Sequence, residues 1–166
     1  MPAENIPLGE RCFYNMFFGC ESLRVAPELP ALVLAKYCYY GMFWSTAIAD
    51  APSLPAKSLE NNCYENMFNR CENLGTGQRV VFIAAETSAN SAMNGMFNGC
   101  TNLGEIALMF MADPDAATYS NWANEVAPNG TLYLPPGSEV SNMTPYKGTG
   151  SEWSVLKTLG ADSSSP

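Results

Sequence analysis

The stretch Cys63-Tyr-Glu-Asn-Met-Phe-Asn-Arg-Cys71-Glu-Asn-Leu74 decides the fold, because three close copies of it occur elsewhere in the chain. The copies begin at Cys12, Cys38 and Ala92, so successive starts are 26, 25 and 29 residues apart. A motif of this length cannot bury its own apolar side chains, so neighbouring copies must stack and share one core. The sequence therefore predicts a solenoid of about four units.

Stacking in register places equivalent residues of the copies in columns along the core. One column holds the small residues Cys12, Cys38, Cys63 and Ala92. A second column holds Met16, Met42, Met67 and Met96, and a third holds Phe17, Phe43, Phe68 and Phe97. Because Cys12, Met16 and Phe17 are four and five residues apart, a short helical turn would place them on one face. Each unit is therefore predicted to contain a short helical turn and a short strand that Pro30 or its counterpart ends.

Composition excludes several classes of function. The chain has 166 residues, of which 47% are apolar and 14% charged, which favours one folded, turn-rich domain. A net charge of −8 disfavours nucleic acid and anionic membrane surfaces as partners. The chain has no histidine, which removes Ser-His and Cys-His nucleophile pairs and imidazole metal ligands. We therefore predict that the protein is not an enzyme and has no cofactor and no metal site.

The repeat Cys-Tyr-x-x-Met-Phe-x-Gly-Cys-x-Ser/Asn-Leu-x-x-Ala-Pro-x-Leu-Pro-Ala resembles the leucine-rich repeats of BspA-like bacterial surface proteins. The likeness extends over about residues 7–110. It implies an α/β, right-handed leucine-rich-repeat solenoid with short strands on the concave side and short helical turns on the convex side. It also implies an extracellular or cell-surface, adhesin-like interaction module that binds host or bacterial surface proteins or glycans.

Two alternatives to an adhesin remain open. Similar repeats occur in phages, so the first is a virion component that recognises a host. The second is a passive structural spacer. Neither a secretory signal nor an apolar run of transmembrane length is recognisable, so membrane insertion is not expected.

The repeat period is lost after Leu103. This predicts a repeat array over 1–103, a β-rich C-terminal cap over 104–160 and a disordered tail over 161–166. The chain enters the first unit near Ile6 without a comparable cap. We therefore expect it to be a fragment of a longer array, with an uncapped N-terminal edge through which two copies dimerise.

Local patterns predict the elements of the cap. Ile106–Met111 and Thr131–Leu134 are predicted strands, the second preceded by a turn at Asn129-Gly130. A short helix is predicted from about Ala116 to Val126, and Trp153–Leu156 is predicted to be a strand or part of a closing helix. Asp113 and Asp115 flank Pro114, and we interpret them as a turn rather than as calcium ligands.

The six cysteines are interpreted as reduced core residues. An even number of cysteines in a secreted chain often forms disulfides. Across a helical turn, however, Cys12 and Cys20 would be separated by roughly 12 Å, beyond the reach of a disulfide. Cysteines in one column have parallel Cβ vectors, and the chain contains no Cys-x-x-Cys spacing. Buried thiols are therefore favoured over disulfides and over metal ligation.

Candidate binding residues lie beside the repeated leucines. Buried positions recur between units, whereas the positions next to Leu23 and its counterparts differ, as ligand-facing positions do in solenoids. The alternative is that nothing constrains these positions. The predicted ligand-binding residues are Arg24, Glu28, Asp50, Ser53, Thr76 and Glu105.

Overall fold

The chain forms a parallel β-solenoid of about four turns. The computed structural model describes residues 7–77, 79–114, 118–145 and 152–158. All strand pairs in these ranges are parallel, as expected when each coil lies on the next one. The predicted repeat solenoid is therefore confirmed, but not its helical turns.

Six short strands form two parallel sheets in the described ranges. Their bounds are β1 Ser58–Leu59, β2 Val81–Ile83, β3 Thr87–Ser88, β4 Glu105–Leu108, β5 Asn129–Tyr133 and β6 Glu152–Leu156. β1 pairs with β3, and the larger sheet has the order β2-β4-β5-β6. A bridge between Leu54 and Ile83 links β2 to the preceding coil. The larger sheet therefore runs along the solenoid axis, with one strand from each coil.

On another side of each coil the chain forms consecutive tight turns, and the described residues contain no α-helix. We call these runs the first to fifth turn segments: residues 10–19, 36–45, 61–70, 90–99 and 118–126. The predicted helical turns are therefore wrong. The predicted helix near Ala116 to Val126 is also wrong where it is described, since 118–126 is the fifth turn segment and Ala116 lies outside the described residues.

Left-handed backbone at every fourth residue replaces the helix. In the third turn segment Asn62, Asn66 and Arg70 have φ angles of 58°, 54° and 57°. Between them the chain turns by short-range hydrogen bonds, such as Met67 N to Tyr64 O at 3.1 Å. Asn and Gly tolerate this conformation best. Equivalent positive φ angles occur at Arg11, Asn15, Gly19, Tyr37, Gly41, Ser45, Ser91, Gly95, Gly99, Asn121 and Glu125.

A one-way ladder of hydrogen bonds joins the turn segments. Alternate N–H groups of each segment donate to carbonyl groups of the next, as from Phe68 N to Met96 O at 2.9 Å. Met93 N donates in the same way to Thr118 O at 2.8 Å, which joins the fifth segment to the fourth. The phenylalanine column stacks with ring centroids 5.5–5.7 Å apart. The segment predicted to cap the array thus repeats the geometry of the array.

The predicted strands of the C-terminal part agree with β4 and β5, and Trp153–Leu156 lies in strand β6. The predicted turn at Asn129-Gly130 is wrong, because both residues belong to β5. Gly130 is required there since an added Cβ would lie 2.7 Å from the Trp153 ring. The predicted tail, 161–166, and the entry at Ile6 lie outside the described residues.

All six cysteines are free thiols, and four of them are buried. Cys71 and Cys100 donate from sulfur to the carbonyl groups of Phe43 and Phe68, at 2.9 and 3.0 Å. The prediction that Cys12 and Cys20 are buried is wrong, because both thiols are exposed on the first coil. The core thus uses a buried cysteine as a hydrogen-bond donor to the preceding coil.

Candidate functional site

The side of the larger sheet that faces solvent carries a row of apolar side chains. Phe82, Ala107, Tyr133 and Leu156 are in register across four neighbouring strands. Phe82 is 43% exposed and Leu156 is 44% exposed, whereas Ala107 between them is covered. Alternation along β2 explains this, since Val81 and Ile83 point into the core and Phe82 points out. We call these residues, with the neighbouring Val80, the sheet-face row.

A polar pair lies beside the sheet-face row. The Tyr133 hydroxyl donates a hydrogen bond to Glu105 Oε1 at 3.2 Å. Burial and the adjacent Glu105 carboxylate raise the pKa of Tyr133, so the hydroxyl stays protonated as a donor. Glu105 and Arg79 also line one cavity of about 270 Å³ together with Asn102. One cation, one anion, an amide and a phenol are therefore available beside an apolar row.

Of the predicted binding residues, Glu105 lies at this surface and Asp50 lies near its first strand. Asp50 accepts a hydrogen bond from the backbone N–H of Arg79 at 3.2 Å, and its carboxylate packs against Gly77. These contacts hold Gly77 and Arg79 in the part of the chain where the longest repeat spacing, 29 residues, places its additional residues. Asp50 therefore has a structural role that its variable position did not reveal.

The other predicted residues are exposed but do not converge on one site. Thr76 donates from its hydroxyl to Asn73 O at 2.7 Å, within its own turn. Arg24 accepts a backbone bond from Ala49 at 3.4 Å, on the first coil. Glu28 and Ser53 are exposed on the first two coils. These assignments stay predictions, and the structure groups only Glu105 with the sheet-face row.

Sequence reasoning missed Phe82, Tyr133 and Leu156. The available signal was strand alternation in Val80-Val-Phe-Ile83 and Thr131-Leu-Tyr133, where every second residue lies outside the core. β2 lies between the third and fourth copies of the repeated motif, and β5 and β6 follow the last copy, so a search limited to that motif does not reach them. Tyr39 and Tyr64, which occupy equivalent positions of neighbouring coils, are core residues with 2% and 1% exposure.

Chemically, this surface suits binding. Over the described ranges, no group of three or more Cys, Asp or Glu side chains is arranged to hold a metal ion. In the same ranges no helix has the length and apolar character that a membrane span needs.

No protein-family model matches the chain, and no curated protein or solved structure matches it significantly.

Proposed function

We propose that the protein is a non-catalytic interaction module that binds a protein or glycan on the sheet-face row. The observation that carries this proposal is the apolar row in register across β2, β4, β5 and β6, which is exposed at Phe82 and Leu156 and half-buried at Tyr133. Most exposed apolar residues of soluble proteins are scattered, whereas contiguous ones mark interaction sites. Parallel strands lie about 4.8 Å apart, so the row from Phe82 to Leu156 spans roughly 14 Å.

The chemistry of the row suits recognition by contact. Phe82 and Tyr133 offer ring faces, which contribute strongly to protein interfaces and stack on apolar ligand surfaces. Glu105 and Arg79 at the edge supply an acceptor and donors for polar groups of a ligand. The strands hold these groups on a hydrogen-bonded scaffold, so a ligand needs to order few side chains.

Placement on a bacterial surface is the second part of the proposal. It is supported by the resemblance of the repeat to BspA-like surface proteins. The right-handed coiling of that family belongs to the proposal as well, whereas its helical turns do not. A virion role and a spacer role are the alternatives, and the test below separates binding from the spacer role.

The test is an array of glycans and extracellular matrix proteins probed with the intact chain and with two variants. Phe82→Ala removes the exposed ring at the β2 end of the row, and we expect at least a roughly tenfold loss of binding, typical of an interface anchor. Val25→Ala is the matched control, since Val25 is an apolar residue 81% exposed on the first coil. Equal binding by both variants would place the site elsewhere, and no binding by the intact chain would favour the spacer.

A further inference from the structure

The outward side of the first turn segment is apolar and uncovered by the described residues. We call this side the N-terminal face. Its side chains Tyr14, Met16 and Phe18 are 42%, 56% and 53% exposed. The counterpart of Met16 in the next coil, Met42, is only 2% exposed, because the first segment covers it. The N-terminal face is therefore a coil-to-coil interface with one side missing.

The one-way ladder gives the N-terminal face backbone acceptors. Phe13 N donates to Cys38 O at 2.9 Å, and Asn15 N donates to Tyr40 O at 2.8 Å. The counterparts of Cys38 and Tyr40 in the first segment are Cys12 and Tyr14. Among the described residues, no N–H group donates to the carbonyl groups of Cys12 and Tyr14. An occupant of this face must therefore bring N–H donors on alternate residues.

A second copy of the chain does not offer this edge. Two N-terminal faces brought together would oppose carbonyl to carbonyl, which leaves the acceptors of both copies without donors. The donor edge belongs to the fifth turn segment, and there Trp122 and Ala123 are already 4% and 1% exposed. Asn142 and Thr144 line a cavity with that segment, so later chain occupies the space beside it. Two copies therefore lack a matching surface whether they meet by their two N-terminal faces or by one N-terminal face and one fifth turn segment.

We propose that the N-terminal face docks one further coil of the same repeat. Such a coil presents N–H groups at the spacing that the carbonyl groups of Cys12 and Tyr14 require. It also extends the aromatic stack of Tyr14 on Tyr40, whose ring centroids are 4.6 Å apart. A covalently joined coil loses little translational freedom on docking, unlike a separate partner.

The test adds a copy of residues 33–57 between Ile6 and Pro7 of the intact chain. The copy carries the turn segment 36–45 in phase with the first segment, and Ala replaces the copied Cys38, as Ala92 does in that column. We expect labelling of Cys12 and Cys20 by a maleimide to slow by about tenfold or more, because thiol reactivity follows access. The urea midpoint of unfolding should also rise.

The matched control is the same extension with Asp at the copied Met42 and Phe43, which cannot pack on Met16 and Phe17. We expect this control to leave Cys12 labelling at the rate of the unextended chain. Undiminished labelling with the first extension would overturn the proposal. So would sedimentation of the unextended chain as a dimer that Met16→Asp dissociates, because the occupant would then be a second copy.

Discussion

The first and third turn segments share one sequence pattern but have different surroundings. Met67 and Cys63 in the third segment have no exposed surface, whereas Met16 and Cys12 in the first are exposed. The local backbone is the same in both, with left-handed residues at every fourth position. The difference teaches that the repeat specifies backbone geometry locally, while burial comes only from a neighbouring coil.

The largest expected difference between the two segments concerns the phenylalanine column. Phe68 is fully buried between Phe43 and Phe97, and Phe17 is half-buried with a stacking partner on one side. Phe68→Ala should lower the free energy of unfolding by about 3–5 kcal/mol, the usual cost of such a cavity. Phe17→Ala should cost less than half as much. Urea denaturation measures both, and equal losses would contradict the comparison.

Thiol reactivity gives the next largest contrast. Burial raises the pKa of Cys63 and Cys100 well above the usual value and that of Cys38 to about 11, so little reactive thiolate forms there. Cys20 is exposed and should react with maleimide roughly 100-fold faster than Cys100 at pH 7.5. Mass spectrometry of labelled peptides measures each rate, with the urea-unfolded chain as the control. A single rate for all cysteines would show that the coils open together.

A carboxylate at the other end of the solenoid extends the comparison to the fifth turn segment. Asp113 accepts hydrogen bonds from the backbone N–H groups of Ser141 and Asn142 at 3.0 Å, which hold the chain beside that segment. Burial raises the pKa of Asp113, but these bonds outweigh it and hold the pKa below its usual value. We expect Asp113→Asn to lower stability by about 1–2 kcal/mol at pH 6.

The pH dependence of this loss has a definite sign. A carboxyl whose pKa is lower in the folded state contributes stability above its unfolded pKa of about 3.9, and that contribution is lost as the pH falls through the folded value. The advantage of the native chain over Asp113→Asn should therefore shrink between pH 5 and pH 2.5. Urea unfolding of both proteins at the two pH values measures it. An unchanged difference would mean that charge has no part in this contact.

The smallest expected effect compares two left-handed glycines. Gly95 has a φ of 59° and its missing Cβ makes room for the Asn66 side chain, whereas nothing lies near Gly19, with a φ of 70°. Gly95→Ala and Gly19→Ala should each lower the free energy of unfolding by about 1 kcal/mol, because a residue with a Cβ is strained in the left-handed conformation. Gly95→Ala should cost roughly 1 kcal/mol more, because Asn66 must move. Differential scanning calorimetry of the pair tests this, and equal melting temperatures would exclude the contact.

Much of the fold follows from the sequence, because stacking is the only way for short identical motifs to bury Met67 and Phe68. The helix prediction was wrong because core residues four and five apart suit both a helix of 3.6 residues per turn and a chain that repeats every four. The discriminating signal was Asn and Gly at every fourth outward position, as at Asn62 and Asn66 or Gly95 and Gly99.

The candidate surface was predicted less well. Glu105 lies beside the sheet-face row, but Phe82 was missed because its strand follows a loop that lengthens the repeat spacing to 29 residues. Asp50 was chosen because it varies between units, yet its carboxylate holds that loop through Arg79 N. Variation within one chain cannot separate a ligand contact from a contact with a local irregularity.

The one-way ladder has a mechanical consequence. Force applied along the chain would load the coils one after another, since each is joined to the next by its own set of lateral hydrogen bonds and stacked rings. The first coil, with a neighbour on one side, should peel away first. Each peeled coil of about 25 residues would release roughly 85 Å of extended chain. Under tension the protein would therefore lengthen in successive steps, and the coil with the 29-residue spacing would give the longest one.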